Sequence, residues 1–140
     1  MSWSPLLTAD LPIRLHALPA IAAFLLGLAQ FALRKGTPLH RAMGWLWVLL
    51  MAVVAGSSFF IHTICQFGGF SLIHLLSILT LVSLPGAVLH ARRGRVAAHA
   101  RAMKLLFLGA LVIAGLFTFT PGRIMHDVAF GTDGAIGACR

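Results

Sequence analysis

The feature that most limits what this chain can fold into is a series of four apolar stretches, each near the length that crosses a lipid bilayer. They run over about residues 15–33, 42–64, 70–90 and 102–120, and none contains an acidic residue. A membrane-spanning helix needs ~20 mostly apolar residues. Lipid offers the backbone no hydrogen-bond partners, so long apolar runs without period-two alternation must be helical. The sequence therefore predicts an all-α fold, a four-helix transmembrane bundle.

Composition supports a membrane protein and argues against a water-soluble domain. Hydrophobic residues make up 59% of the 140, charged residues only 10%, and the mean hydropathy is +0.95. A single core in a chain of this length could not bury so much apolar surface, so lipid must cover it. The four spans use most of the chain, and residues 1–140 are therefore read as one integral membrane domain.

A helical hairpin occurs twice in the sequence. The first copy places histidines at His16 and His40, and the second at His74 and His99, with spacings of 24 and 25 residues. The connecting segments also match, as LRKGTPLHRAM in the first copy and ARRGRVAAHARAM in the second. One such spacing could be chance, but two in register indicate duplication of a unit built around four histidines.

Charge is distributed unevenly between the loops, and this predicts the orientation. Basic residues flank the first and third loops, the middle loop at 66–69 has no charge, and all acidic residues lie near the termini. Positively charged loops stay in the cytoplasm. We therefore expect a multi-pass protein of the bacterial inner (cytoplasmic) membrane with both termini outside the cytoplasm. The net charge of +8 then reflects topology, and nucleic acid is not an expected partner. The residues concerned are Arg34, Lys35, Arg41, Arg92, Arg93, Arg95, Arg101 and Lys104 in or beside the loops, and Asp10, Asp127 and Asp133 outside.

Both cysteines, Cys65 and Cys139, are expected on the outer side. An oxidising compartment there would permit a disulfide. Two unrelated thiols are the alternative, and the sequence slightly favours it.

The four repeated histidines form two pairs in this topology. His16 and His74 begin spans one and three near the outer face, whereas His40 and His99 begin spans two and four near the inner face. A helix rises ~1.5 Å per residue, so the two pairs lie too far apart to share one metal ion. A haem iron with two axial imidazoles suits ligands from helices that face each other across a bundle. Interfacial anchoring explains any one histidine alone, but not the repeated pairing.

Helical phase predicts which residues share the face of each histidine. Small residues on such a face, such as Gly27 near the direction of His16, could leave room for a flat ring, although the same faces suit ordinary helix packing. Trp45 and Trp47 match the aromatic belt at a membrane interface. The other expected face-mates are Gly44, Trp47, Met51 and Ser58 for His40, Leu81 and Pro85 for His74, and Met103, Leu106, Ala110 and Phe117 for His99.

The sequence contains three further histidines outside the repeated pattern. His62 could replace His16 or His74 as an outer ligand, or line that site. His90 is read as interfacial, and His126 as a residue of the solvated tail or as an outer-surface contact.

The paired pattern resembles cytochrome b561-like proteins, which are transmembrane dihaem electron carriers with histidines from alternate helices. The resemblance covers about residues 15–120 and depends on topology and histidine placement. The segments KGTPLHR, IHLLS and PGR are also similar to those of a bacterial family of predicted membrane proteins of uncharacterised function.

The cytochrome resemblance implies transmembrane electron transfer through one or two haem b groups. His16 and His74 would ligate an outer haem, and His40 and His99 an inner one, with a single-haem version left open. Arg41 and Arg101 would be among the basic residues that bind haem propionates. The electron donor and acceptor, which could be a quinone, ascorbate, a ferric chelate or a protein, are not specified, and a homodimer is an open option.

Two other functions remain open at this stage. The first is a non-redox transporter or a partner or assembly subunit, although the middle of each span lacks the charged residues that mark transport paths. The second is a membrane metal-site enzyme that uses an outer cluster, since histidine and carboxylate suit zinc, copper or iron. That cluster would comprise His16, His62, His74, His126 and Asp127.

Overall fold

The protein is all-α in the part of the chain that its computed structural model describes, residues 4–61, 72–119 and 124–130. A short α1 (Ser4–Leu7) precedes the long helices α2 (Leu11–Ala32), α3 (Pro38–Ser58), α4 (Leu72–Arg92) and α5 (Val96–Phe117). A short α6 (Ile124–Phe130) follows. Each of the four long helices contains a segment long and apolar enough to cross a membrane, which confirms the expected transmembrane bundle. Helices α3 and α5 begin earlier than the apolar runs alone indicate, because polar and basic residues form their first turns.

Local sequence signals explain how the hairpin loops form. Thr37 Oγ1 accepts a hydrogen bond from the backbone N–H of His40 at 3.2 Å, and Pro38 occupies the first position of α3. A threonine cap followed by proline favours a helix start at this point. Gly36 and Gly94 have positive φ values of 81° and 69°. Both loops therefore use a glycine in the left-handed region, which supports the predicted duplication.

The long helices form a ring in chain order. α2 packs on α3, α3 on α4, and α4 on α5, while the middle of α5 closes the ring against α2. Within the described residues, the backbones of α2 and α4 do not come within packing distance of each other, nor do those of α3 and α5. These diagonal helices are the ones that carry each predicted histidine pair. The short helices α1 and α6 pack on each other, and α1 also contacts α2.

A tightly packed layer crosses the middle of the bundle. Trp47 of α3 is only 2% exposed, and its Nε1–H donates to the carbonyl of Ala23 in α2 at 2.9 Å. Phe107 of α5 packs against Gly27, with the ring of Phe24 stacked on its own ring and that of Phe31 perpendicular to it. The remaining buried members are Met51, Leu84, Ala87, Leu106 and Leu111.

This layer corrects two expectations from the sequence. Trp47 is not part of an interfacial belt, since its indole N–H has a partner inside the bundle. The side chains of Phe107 and Trp47 fill the space beside Gly27, so it is not left open for the flat ring of a cofactor. Trp45, in contrast, is 54% exposed near the end of the bundle, as an interfacial tryptophan should be.

The fourth span changes its helical form midway. Residues Phe107–Ile113 form a π-helix between two α-helical parts, Val96–Leu106 and Ala114–Phe117. A π-helix bonds i to i+5 and turns less per residue, so the faces before and after it no longer align. Leu106 is buried on the side of His99, as predicted, but Phe117 is 64% exposed and faces outward.

Candidate functional site

The four repeated histidines lie at two levels, on opposite sides of the packed layer of Gly27, Trp47 and Phe107. His40 precedes Trp47 by seven residues and His99 precedes Phe107 by eight, which puts both ~10–12 Å from the layer. We call this the basic end, because it contains the loops at 33–37 and 93–95. His16 lies at the opposite, far end, eleven residues or ~16 Å from Gly27.

His74 reaches the same far end. Its side chain is 4% exposed, and its ring centroid is 5.9 Å from that of Phe59. Phe59 lies twelve residues beyond Trp47, or ~18 Å from the packed layer. The structure therefore brings His16 and His74 to one level on diagonal helices, as the repeat predicts.

A cluster of buried polar groups lies near the two histidines at the far end. The Nδ1–H of His16 donates to the carbonyl of Val54 at 2.9 Å, and Ser57 Oγ lies 3.5 Å from the same nitrogen. The hydroxyls of Ser58 and Ser77 are hydrogen-bonded at 2.5 Å. Ser77 lies one turn after His74 on α4. Of the two serines of α3, Ser57 therefore lies towards α2, which carries His16, and Ser58 lies towards α4, which carries His74.

The expected face of His74 is partly wrong. The buried residues of α4 follow a stripe of Ser77, Thr80, Leu84 and Ala87. Leu81 and Pro85, which the helical phase assigns to the histidine face, line an external groove between α3 and α4 instead.

The basic end brings His40 and His99 together. The Nδ1–H of His99 donates to the carbonyl of Ala87 at 2.9 Å. His40 shares the inward face of Trp47 and Met51, and its Nδ1 is buried without a hydrogen-bond partner. Both histidines lie ~10–12 Å from the packed layer, on the same side of it. This pair is also on diagonal helices at one level.

Gln30 is a site residue that the histidine pattern does not predict. Its Nε2–H donates to the backbone carbonyl of His40 at 3.0 Å, and its Oε1 is buried without a partner. Gly44 leaves the space for this amide, because a Cβ there would lie 3.3 Å from Gln30 Nε2. A single amide near the end of an apolar span is the sequence signal that could have identified it.

Hydrogen bonding sets the tautomer of two of the histidine rings. A carbonyl oxygen can only accept, so the neutral rings of His16 and His99 must carry their proton on Nδ1. The Nε2 atom then keeps its lone pair, and the carbonyl bond fixes the ring orientation and raises ligand basicity. Each end of the bundle thus contains one imidazole whose Nε2 lone pair is available to accept a hydrogen bond or to bind a metal ion.

The other candidate residues lie at the margins of these clusters. Arg41 and Arg101, the expected propionate-binding residues, are exposed at the basic end. His90 has a buried Nδ1 without a hydrogen-bond partner, and the ring of His126 lies 4.8 Å from that of Phe130. His62, like Cys65 and Cys139, lies outside the described residues.

A metal ion held by three or more side chains needs a different arrangement from a haem iron held by two histidines. Among the residues that the structure describes, no group of three or more His, Cys, Asp or Glu side chains is placed to hold a metal ion. The proposed outer metal cluster depends in part on His62 and on the Asp127 side chain, which are not described.

Comparison with known proteins identifies a family of membrane proteins. The model of a family described as "Predicted membrane protein (DUF2306)" matches residues 13–132. No curated protein and no solved structure matches the chain. The match confirms the resemblance to a family of predicted membrane proteins and gives no link to cytochrome b561.

Proposed function

The chain belongs to this family of predicted membrane proteins, and on that premise we propose that it transfers electrons across the bilayer through b-type haem held by paired histidines. His16 and His74 would bind a haem at the far end, and His40 and His99 one at the basic end. We further propose that the basic end faces the cytoplasm of a bacterial inner membrane, with both termini outside. The chemistry of the histidine rings and their positions in the bundle support this proposal.

The observation that carries the proposal is the pair of carbonyl bonds at His16 and His99. Both bonds are 2.9 Å long, and each joins Nδ1 to the backbone of a neighbouring helix within the same hairpin. Histidines that ligate metals usually donate the other ring N–H to such an oxygen. An interfacial anchor needs no fixed tautomer, whereas an axial ligand needs a free Nε2.

His74 and His40 would supply the second imidazole to each haem. His74 is 4% exposed at the level of His16, and His40 has a buried, unpartnered Nδ1 at the level of His99. His90 has the same unpartnered nitrogen, but only His40 lies on the helix diagonal to that of His99. Both pairs lie on diagonal helices, whose backbones are not in packing contact across the described residues.

Ligation by two imidazoles leaves the iron without an open position, so bound haem would carry single electrons rather than bind oxygen. The protein would hold each ring in place and exclude water. The layer of Gly27, Trp47 and Phe107 would separate the two ends and keep the intervening path dry. Arg41 and Arg101 are exposed at the basic end, where guanidinium groups could pair with haem propionates.

The test is to purify the protein with haem supplied during expression and to record its absorbance before and after reduction by dithionite. We expect sharpened reduced bands and one or two extractable haems per chain. His99→Ala should remove the haem at the basic end and His16→Ala the one at the far end, while His90→Ala should retain both.

Each other outcome contradicts the proposal in a distinct way. Colourless protein that carries a transition metal would support a membrane metal-site enzyme. Colourless, metal-free protein would support a transporter or a partner subunit. Equal loss of haem from His90→Ala and His99→Ala would refute the ligand assignment.

A further inference from the structure

We infer that the groove between α3 and α4 binds an anionic phospholipid, with its phosphate at Arg92 and one acyl chain along the bundle. The groove has a volume of about 440 Å³ and is open to the outside of the bundle. Its apolar lining includes Val48 and Ala52 of α3 and Leu81, Pro85 and Val88 of α4. This site is separate from the histidine clusters and does not depend on haem.

The length of the groove matches one lipid leaflet. Along α4 it extends from Leu81 to Arg92, which is eleven residues or ~16 Å of helix. The hydrocarbon core of a bilayer is ~30 Å thick, so one leaflet contributes about half of it. A single acyl chain that begins at Arg92 would therefore fill the groove and end near the bilayer centre.

The charge at the mouth of the groove indicates which lipid it prefers. The guanidinium carbon of Arg92 lies 5.6 Å from the ring centroid of Trp45, which holds the cation at the rim. Arg41 lies four residues before Trp45, so it projects from the same face of α3. The sequence from residue 11 to residue 126 contains no aspartate or glutamate.

These cations need an anion that the neighbouring helices do not supply. A zwitterionic headgroup cancels its own phosphate charge, whereas an anionic phospholipid leaves the phosphate uncompensated. Basic pockets between membrane helices recognise such headgroups, and one basic residue changes binding about fivefold. Charge at Arg92, combined with a groove one leaflet long, therefore favours anionic phospholipid over a free anion or a neutral lipid.

The experiment uses the whole protein in nanodiscs, with Trp3→Phe as the background. Trp45 contacts the groove, so lipids with brominated acyl chains should quench its fluorescence. The signal of Trp45 is the difference from a matching protein with Trp45→Phe. We expect brominated phosphatidylglycerol to reach half-quenching at about fivefold lower mole fraction than brominated phosphatidylcholine.

Variants separate this site from general surface charge. Arg92→Gln should abolish most of the preference, Arg92→Lys should keep part of it, and the control Arg95→Gln, which removes the same charge from the neighbouring loop, should keep all of it. Ala52→Leu should lessen quenching by both lipids, because the added carbons occupy the groove.

Three results would overturn the inference. The first is equal quenching by the two lipids in the parent protein. The second is a loss in Arg95→Gln as large as that in Arg92→Gln. The third is removal of the preference by millimolar glycerol phosphate, which would mean that the rim binds soluble phosphates without the chain.

Discussion

Replacing Gly27 by alanine tests the packing at the centre of the bundle. A Cβ at this position would lie 2.5 Å and 2.6 Å from two carbons of the Phe107 ring, and 3.0 Å from Trp47 Nε1. Carbon atoms in contact prefer ~3.5–4.0 Å, so the ring would have to move by about 1 Å. Neither neighbour can yield easily, and we expect a clear loss of stability.

The magnitude follows from the surroundings of the two rings. Phe107 is held by Phe24 and Phe31, with ring centroids 5.6 Å and 5.1 Å away, and Trp47 is fixed by its bond to Ala23. Overpacking a core typically costs ~1–3 kcal/mol, and this site belongs near the upper limit. Alanine regains up to ~1 kcal/mol of helix propensity. The net loss in free energy of unfolding is expected to be about 1–2 kcal/mol.

The assay is unfolding of the purified protein by SDS in mixed micelles, followed by circular dichroism. Gly56→Ala is the matched control, since nothing lies within 4 Å of a Cβ at that position of α3. The control should be as stable as the parent or slightly more stable. Adding Phe107→Leu to Gly27→Ala should recover part of the loss, with a coupling energy of ~1 kcal/mol. If Gly27→Ala and Gly56→Ala unfold at the same SDS fraction, the reasoning about the close approach is wrong.

Other substitutions test individual hydrogen bonds and turns by the same unfolding assay. Trp47→Phe should lower the free energy of unfolding by ~1–3 kcal/mol, because the carbonyl of Ala23 loses its buried donor; no loss would show that this bond is not stabilising. Thr37→Ala should lower the free energy of unfolding by ~1 kcal/mol through loss of the helix cap. Thr37→Ser should keep the parent stability, because serine retains the hydroxyl that caps the helix. Gly36→Ala and Gly94→Ala should each cost ~1–2 kcal/mol because both positions have positive φ. Asn at these positions should cost less, and equal losses for Ala and Asn would argue against the left-handed turns.

The positions of the candidate ligands were largely predictable from the sequence. The spacing of 24 and 25 residues put one histidine pair at each end of a four-helix bundle, and the structure brings both pairs to common levels. Hydrogen bonding at the site was not predictable. The acceptors of His16 and His99 are the backbone carbonyls of Val54 and Ala87, and every residue has such a carbonyl. Only the rotation and depth of the neighbouring helices select which one is reached.

The faces of the helices were likewise predictable only in part. Met51 and Ser58 lie on the inward face of α3 with His40, as a regular helix of 3.6 residues per turn requires. Phe117 departs from the face of His99 because the π-helical segment before it shifts the register. The residues FLGALVI carry no recognisable signal for that segment.

The sequence by itself determined the four membrane helices, the start of α3 at Pro38 after the Thr37 cap and the separation of the histidines into two ends. These features depend on the length of apolar runs, on capping chemistry and on the rise of a helix, all of which act within one segment. Tertiary structure alone decided that the indole of Trp47 bonds to the carbonyl of Ala23, that Phe107 occupies the space beside Gly27, and that Pro85 lines an external groove. Those outcomes depend on how one helix fits against another, and apolar side chains of similar hydropathy do not encode that fit individually.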